Sequence, residues 1–151
     1  MDLARSFITE EKKPNYPQPL ILAVEDNDDN LLLIRYTLES LGCKLICQTD
    51  SYSTLLVAKE YQPDLILMDI LLPGLSGIDV VRYLKKEPLT WHIPVIAVTA
   101  LASPEERERI LMAGFDDYIS KPYMISDLEA LICRVLGKKL NPESAFDLHQ
   151  Q

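Results

Sequence analysis

Four apolar residues stand between two carboxylates in Asp64-Leu65-Ile66-Leu67-Met68-Asp69, the stretch of the chain that decides its fold. An unbroken apolar run of this length is typical of a strand that is buried on both faces, and such strands occur in parallel sheets covered by helices. Two more runs have the same character, at Leu20–Val24 and at residues 95–98. The three runs together predict a parallel sheet with helices on both sides.

Segments of helical period alternate with the predicted strands. The five strands are predicted at Leu20–Val24, Lys44–Thr49, Asp64–Met68, Ile93–Val98 and Asp116–Ile119. Helices are predicted at Asp28–Leu41, Ser51–Tyr61 and Ser76–Lys86, from the Ser103 cap to Ala113, and from the Ser126 cap to Gly137. Five βα units in succession predict a doubly wound α/β domain over residues 20–137. Residues 1–19 and 138–151 are expected to be flexible tails.

The composition narrows the classes of function. A formal net charge of −8 and a sequence pI near 4.7 disfavour direct binding to nucleic acid or to anionic membranes. We find neither an apolar run long enough to cross a membrane nor an apolar signal-peptide core, so we expect a cytoplasmic protein. The three cysteines stand among apolar residues and are expected to pack in or near the core: Cys43, Cys47 and Cys133.

Polar side chains follow four of the predicted strands at the point where each strand ends. Glu25 and Asp26 follow the first strand, Asp69 the third, Thr99 the fourth and Lys121 the fifth. In a doubly wound sheet the ligand lies beyond the carboxyl ends of the strands. Three carboxylates packed together repel one another unless a cation lies between them, and Mg²⁺ prefers oxygen ligands. A hydroxyl and an ammonium suit the oxygens of a transferred phosphoryl group, and a carboxylate can accept that group.

Each of these residues also has an ordinary explanation when it is considered alone. Glu25 and Asp26 could belong to the cap of the next helix, and Asp69 could form a turn. Thr99 could be a strand-end hydroxyl, and Lys121 an exposed loop lysine. Their joint placement at one edge of the predicted sheet is what favours a phosphoryl-transfer site.

The chain resembles the receiver domains of two-component response regulators. The resemblance covers residues 20–137 and rests on Ile21–Asn27, Asp64–Pro73, Gly77, Val98–Ala100 and Tyr118–Pro122, with the Glu-Asp-Asn-x-x-Asn form at Glu25–Asn30. It implies the flavodoxin-like strand order 2-1-3-4-5, with five helices on two faces.

The resemblance also implies a metal site. Asp26, Asp69 and the backbone carbonyl of Leu71 would bind Mg²⁺, and Glu25 would orient metal-bound water or join the shell. Asp69 would be phosphorylated by a phosphohistidine on a histidine kinase or a histidine phosphotransfer protein.

Further roles follow from the same resemblance. Lys121 would pair with the phosphoryl group, and the Thr99 hydroxyl and the Ala100 N–H would bind its other oxygens. The Lys121–Pro122 peptide bond would be cis. Tyr118 would be the aromatic switch that responds to Thr99, although it could also be an ordinary half-buried strand aromatic.

Several functions are consistent with these residues. The favoured hypothesis is a stand-alone phosphorylation-controlled module that binds an unknown downstream protein, because few residues follow Gly137. A phosphorelay intermediate, a receiver that binds partners without phosphorylation, and a phosphatase with an aspartyl nucleophile are the alternatives. The phosphatase would normally place an acid two residues after Asp69, where this chain has Leu71. The resemblance also implies that Leu71 and Leu101 would flank the attacking water, and two apolar side chains there predict a long-lived phosphoryl group.

Overall fold

The computed structural model describes residues 18–100 and 103–137, which form five strands and five helices in strict alternation. In chain order they are β1 Leu20–Val24, α1 Asp28–Ser40, β2 Lys44–Gln48, α2 Thr54–Tyr61, β3 Leu65–Asp69, α3 Gly77–Lys86, β4 Val95–Thr99, α4 Pro104–Ala113, β5 Asp117–Ser120 and α5 Ile125–Leu136. The predicted α/β class is therefore confirmed.

All five strands are parallel, and their order in the sheet is β2-β1-β3-β4-β5. The order reverses direction between β1 and β3, which is the switch point at which such sheets bind ligands. The register pairs Val24 with Met68, Asp69 with Val98, and Thr99 with Ser120. The carboxyl ends of β1, β3, β4 and β5 therefore lie at one edge of the sheet.

Alternate residues of the strands face two separate hydrophobic clusters. Leu22, Val24, Ile66 and Met68 belong to one cluster, which α2, α3 and α4 cover. Ile21, Ala23, Leu65 and Leu67 belong to the other cluster, which α1 and α5 cover. The apolar run that predicted the sheet is thus buried on both faces, and the predicted two-layer covering by helices is confirmed.

Three helices begin as capping chemistry predicts. The side chains of Asn27, Ser76 and Ser103 accept hydrogen bonds from the backbone of the first turns of α1, α3 and α4, and Ser103 forms a full capping box with Glu106.

Two predicted helix starts are wrong. Ser126 lies inside the first turn of α5, because the N-cap position is Met124, whose carbonyl accepts from the Asp127 N–H at 3.0 Å. The second helix begins at Thr54 rather than at Ser51. Ser51 is buried, and its hydroxyl donates to the carbonyls of Pro73 and Leu75 instead of opening a helix.

β1 has its predicted bounds, whereas the bounds of the other four strands differ by one or two residues from the predicted ones. Asp69 and Thr99 are the last residues of β3 and β4 instead of the first residues after them. Both side chains are therefore held by regular strand backbone, which fixes their direction more tightly than a loop would.

The three cysteines lie in or near the hydrophobic core. Cys43 is buried and Cys47 and Cys133 are half-buried against the cluster under α1 and α5, as predicted. No helix within the described part of the chain is long and apolar enough to span a membrane.

Gln18 and Pro19, assigned to the tail by sequence, are hydrogen-bonded to Gly42 and Lys44. Residues 1–17 and 138–151 lie outside the described residues, and their predicted flexibility stays a prediction.

Candidate active site

A cluster of three carboxylates lies at the switch point of the sheet. Glu25 and Asp26 stand in the β1–α1 loop, and Asp69 ends β3. Each offers a carboxylate oxygen, and the three oxygens lie within 4.8 Å of one another. Glu25 is only 2% exposed and Asp69 is buried, whereas Asp26 faces solvent. Two of the three charges are thus removed from water, which is costly unless a cation accompanies them.

Lys121 supplies one cation to this cluster. Its Nζ lies 2.8 Å from Asp69 Oδ2 and 3.3 Å from Glu25 Oε1, and its side chain is 22% exposed. Burial by itself lowers the pKa of Lys121, but the hydrogen bond to Asp69 and the charges of Asp69 and Glu25 outweigh burial, so that the pKa is raised. The ammonium therefore stays charged and binds two carboxylates at once.

Backbone and side-chain donors fix the remaining carboxylate oxygens. Asp69 Oδ1 accepts from the Leu71 N–H at 2.9 Å. Glu25 Oε2 accepts from the Asn27 N–H at 3.2 Å and from the side-chain amide of Asn30 at 3.3 Å. Asn30 was missed as a site residue by the sequence analysis, although it is part of the quoted Glu-Asp-Asn-x-x-Asn pattern. Its position in the first turn of α1, three residues after the Asn27 cap, is the signal that could have revealed the contact.

Thr99 and Ala100 lie at the same edge, at and just after the end of β4. Thr99 is fully buried and pairs in register with Ser120, and its carbonyl accepts from the Lys121 N–H at 2.8 Å. Ala100 is exposed. The Lys121–Pro122 peptide bond is cis, the isomer that the resemblance implies.

The predicted switch aromatic, Tyr118, lies on β5 and is half-buried. It pairs in register with Ala97 and packs against the cluster under α2, α3 and α4. The guanidinium carbon of Arg107 lies 5.9 Å from the ring centroid, within the range of a cation–π contact.

Of the two leucines expected beside the attacking water, Leu71 lies within the described residues. Leu71 follows Asp69 by two residues and is 61% exposed. Leu101 lies outside the described residues. The side chain of Leu71 carries no acid or base, so the position at which a phosphatase would hold one has only hydrocarbon.

The donor set fits a hard divalent cation. All three side chains are carboxylates, which suits Mg²⁺ and not the softer metals that prefer sulfur or imidazole. The single ammonium of Lys121 leaves the cluster of three carboxylates with a net negative charge. A divalent ion would compensate for that excess.

The family model of the response regulator receiver domain matches residues 21–133. The chain belongs to this family. The receiver domain is 43% identical over 117 residues to the polar-differentiation response regulator DivK of Brucella anthropi, an alignment that covers 78% of this chain and 95% of DivK. The alignment with DivK of Brucella ovis has the same identity, length and coverage.

Solved receiver structures agree with this assignment. The receiver domain of the sensor histidine kinase PA1611 from Pseudomonas aeruginosa, with a magnesium ion coordinated in its active site cleft, is 34% identical with a TM-score of 0.74; the match covers 81% of this chain and all of that chain. A response regulator from Desulfuromonas acetoxidans is also 34% identical, with a TM-score of 0.71 over 78% of this chain and 95% of that chain. The chemotaxis response regulator CheY4 of Vibrio cholerae, 23% identical with a TM-score of 0.75 over 80% of this chain and all of that one, shares the fold.

The observed sheet topology confirms the predicted strand order, and family membership confirms the predicted general function. The protein carries a response regulator receiver domain of the two-component type, and its site is compatible with a phosphoacceptor. Receiver domains interact with histidine kinases or phosphotransfer proteins and with downstream targets, which gives the class of partner but not the individual protein.

Proposed function

We propose that Asp69 accepts a phosphoryl group from a phosphohistidine donor in a Mg²⁺-dependent reaction, and that phosphorylation changes a protein-binding face. The observation that carries this proposal is the position of Lys121 Nζ, 2.8 Å from the Asp69 carboxylate at the edge of a three-carboxylate cluster. A buried carboxylate with a fixed ammonium beside it has both the nucleophile and the counter-charge that phosphoryl transfer needs.

In the transfer step, a carboxylate oxygen of Asp69 forms a P–O bond while the P–N bond of the donor phosphohistidine breaks. The electron pair of the P–N bond returns to the ring nitrogen, and the imidazole leaves as a neutral group when its other nitrogen carries a proton. The product is an acyl phosphate on Asp69. Lys121, the Thr99 hydroxyl and the Ala100 N–H are the donors proposed to bind its oxygens.

Asp26, Asp69 and the backbone carbonyl of Leu71 are proposed to hold the metal, with Glu25 as a further ligand or as the acceptor of a metal-bound water. When bound, Mg²⁺ supplies positive charge to the phosphoryl oxygens. The coordinated magnesium of the PA1611 receiver domain, at 34% identity, supports this assignment.

The output face is proposed to consist of α4, β5 and α5. Thr99 ends β4 and Tyr118 lies on the neighbouring strand, so that a shift of Thr99 toward a phosphoryl oxygen would change the space available to the Tyr118 ring. The cation–π contact with Arg107 of α4 couples this ring to the helix. The downstream protein would recognise the altered face.

A signalling role suits the site better than a phosphatase. Leu71 is exposed and apolar at the position where a phosphatase would hold an acid/base, the group that protonates the first leaving group and then activates the water that attacks the acyl phosphate. Hydrolysis of the acyl phosphate is therefore expected to be a slow reset rather than rapid turnover.

The experiment is phosphorylation by acetyl phosphate, with and without Mg²⁺, followed by intact-protein mass measurement. We expect a single phosphoryl adduct with Mg²⁺, none in EDTA, and none in Asp69→Asn. Asp79→Asn, which changes an exposed carboxylate of α3, is the matched control and should retain the adduct. An adduct in Asp69→Asn, or none in the wild type with metal present, would overturn the proposal.

A second stage uses protein donors. Phosphotransfer from candidate histidine kinases would identify the cognate partner, and return of the label to a histidine phosphotransfer protein would identify a phosphorelay intermediate.

A further inference from the structure

The hydroxyl of Tyr123 is buried without a hydrogen-bond partner. Within residues 18–100 and 103–137 it is the only side-chain nitrogen or oxygen in that condition. The ring packs against the cluster under α1 and α5. Because a buried polar group without a partner is destabilising, native structures rarely keep one, and this hydroxyl needs an explanation.

The hydroxyl belongs to a residue that borders the active site. A cavity of about 360 Å³ is lined by Asn30, Leu33, Ala100, Lys121, Pro122 and Tyr123. Two residues of this lining, Asn30 and Lys121, are hydrogen-bond donors to Glu25. Burial raises the pKa of the Tyr123 phenol, the charge of Glu25 raises it further, and Lys121 opposes this. The phenol therefore stays protonated and remains a donor.

Phosphorylation of Asp69 would change which hydrogen-bond donors contact the Glu25 carboxylate. Lys121 Nζ is shared unequally, at 2.8 Å from Asp69 and 3.3 Å from Glu25. Three phosphoryl oxygens carry more negative charge than one carboxylate oxygen, so they would draw the ammonium away from its longer contact. Glu25 Oε2 would keep its two donors, but Oε1 would lose Lys121. Glu25 is almost fully buried, and a carboxylate oxygen can accept more than one hydrogen bond, so the position that Lys121 leaves on Oε1 is open to another donor even when a metal-bound water also binds there.

We propose that Tyr123 is a positioning residue for the phosphorylated state, in which its hydroxyl donates to Glu25 once Lys121 has turned to the phosphoryl group. This inference rests on the proposed function of Asp69. The exchange would give the Tyr123 hydroxyl an acceptor and fill the position that Lys121 leaves on the Glu25 carboxylate, and it would keep Glu25 in place while the lysine is engaged.

The test compares Tyr123→Phe, which removes only the hydroxyl, with Tyr83→Phe, which removes a hydroxyl from an exposed ring of α3. Beryllofluoride with Mg²⁺ serves as the phosphoryl mimic, and its affinity is measured by titration calorimetry. We expect Tyr123→Phe to bind the mimic about fivefold more weakly, the loss of one hydrogen bond. Its urea midpoint without the mimic should equal or exceed that of the wild type. Tyr83→Phe should change neither quantity.

A spectroscopic readout separates positioning from a merely structural role. With ¹³C-labelled tyrosine, the Cζ resonance of Tyr123 should shift on addition of the mimic, because its hydroxyl gains an acceptor. Equal affinity in wild type and Tyr123→Phe, or an unchanged Cζ resonance, would overturn the inference while leaving the proposed function intact. If the wild type neither binds the mimic nor forms the acetyl phosphate adduct, the proposed function fails and this inference fails with it.

Discussion

Replacing Lys121 by Met removes the cation between Asp69 and Glu25 while keeping most of the hydrocarbon stem. At the dielectric constant of water, the contacts at 2.8 and 3.3 Å are worth about 1.5 and about 1.3 kcal/mol. Burial of the two carboxylates strengthens these attractions, and desolvation of the ammonium offsets part of that gain. The expected loss in the free energy of unfolding is therefore about 2–3 kcal/mol when no divalent metal is present.

Magnesium should reduce this loss. A divalent ion bound by the carboxylates neutralises the repulsion that the variant leaves behind, so saturating Mg²⁺ should stabilise Lys121→Met more than the wild type. The assay is urea unfolding at neutral pH, in EDTA and in Mg²⁺. Lys59→Met is the control, because it breaks an ion pair of 3.6 Å with Glu87 on the surface and should cost under about 0.5 kcal/mol in either buffer. A variant as stable as the wild type in EDTA, or a loss that Mg²⁺ leaves unchanged, would refute the reasoning.

The same variant has a defined pH dependence. Because the folded pKa of Lys121 is raised above its ordinary value of 10.5, the stabilisation by its charge is fully present below that value. It is lost as the pH rises through the higher folded pKa. The stability difference between wild type and Lys121→Met should therefore be constant from neutral pH to about 10 and shrink above 10.5.

Three further predictions concern the output face, the phosphoryl lifetime and a glycine. Beryllofluoride should alter amide exchange in α4, in α5 and around Tyr118, and changes confined to α1 and α2 would contradict this. The double variant Leu71→Asn, Leu101→Glu should lose phosphate about tenfold faster, equivalent to roughly 1.4 kcal/mol of barrier, because both new side chains can orient water; equal or slower decay by mass spectrometry would contradict it. Gly77→Ala should destabilise by about 1–3 kcal/mol in urea unfolding, because the new Cβ would lie 2.9 Å from the Cα of Ile70, and an unchanged midpoint would contradict it.

The site residues that could be predicted from the sequence are those that lie at the end of a strand or directly after it. Apolar runs locate parallel strands, and parallel strands bring their carboxyl ends to one edge, so the convergence of Asp69 and Lys121 followed from topology alone. Asn30 and Tyr123 did not follow, because each reaches the site from a helix or loop by a side-chain path that strand order does not specify. Ser126 shows the limit of capping rules: a serine near a helix start need not be its cap.

Contacts between segments that lie far apart in the chain could not be predicted from the sequence either. Ser51 has the residue type of a helix start, but its hydroxyl is taken by carbonyls of the loop after β3, more than twenty residues away. The requirement for glycine at position 77 likewise comes from the approach of Ile70 backbone. Both are tertiary contacts that override a local preference.

The most direct test of the central claim locates the phosphoryl group within the chain. Acyl phosphates are reduced by borohydride, which converts the modified aspartate to homoserine and marks it for peptide sequencing by mass spectrometry. After treatment with acetyl phosphate and Mg²⁺, we predict homoserine at position 69 and unmodified Asp26 and Glu25. Homoserine at position 26, or its absence from position 69 in protein that carries the phosphoryl adduct, would contradict the account.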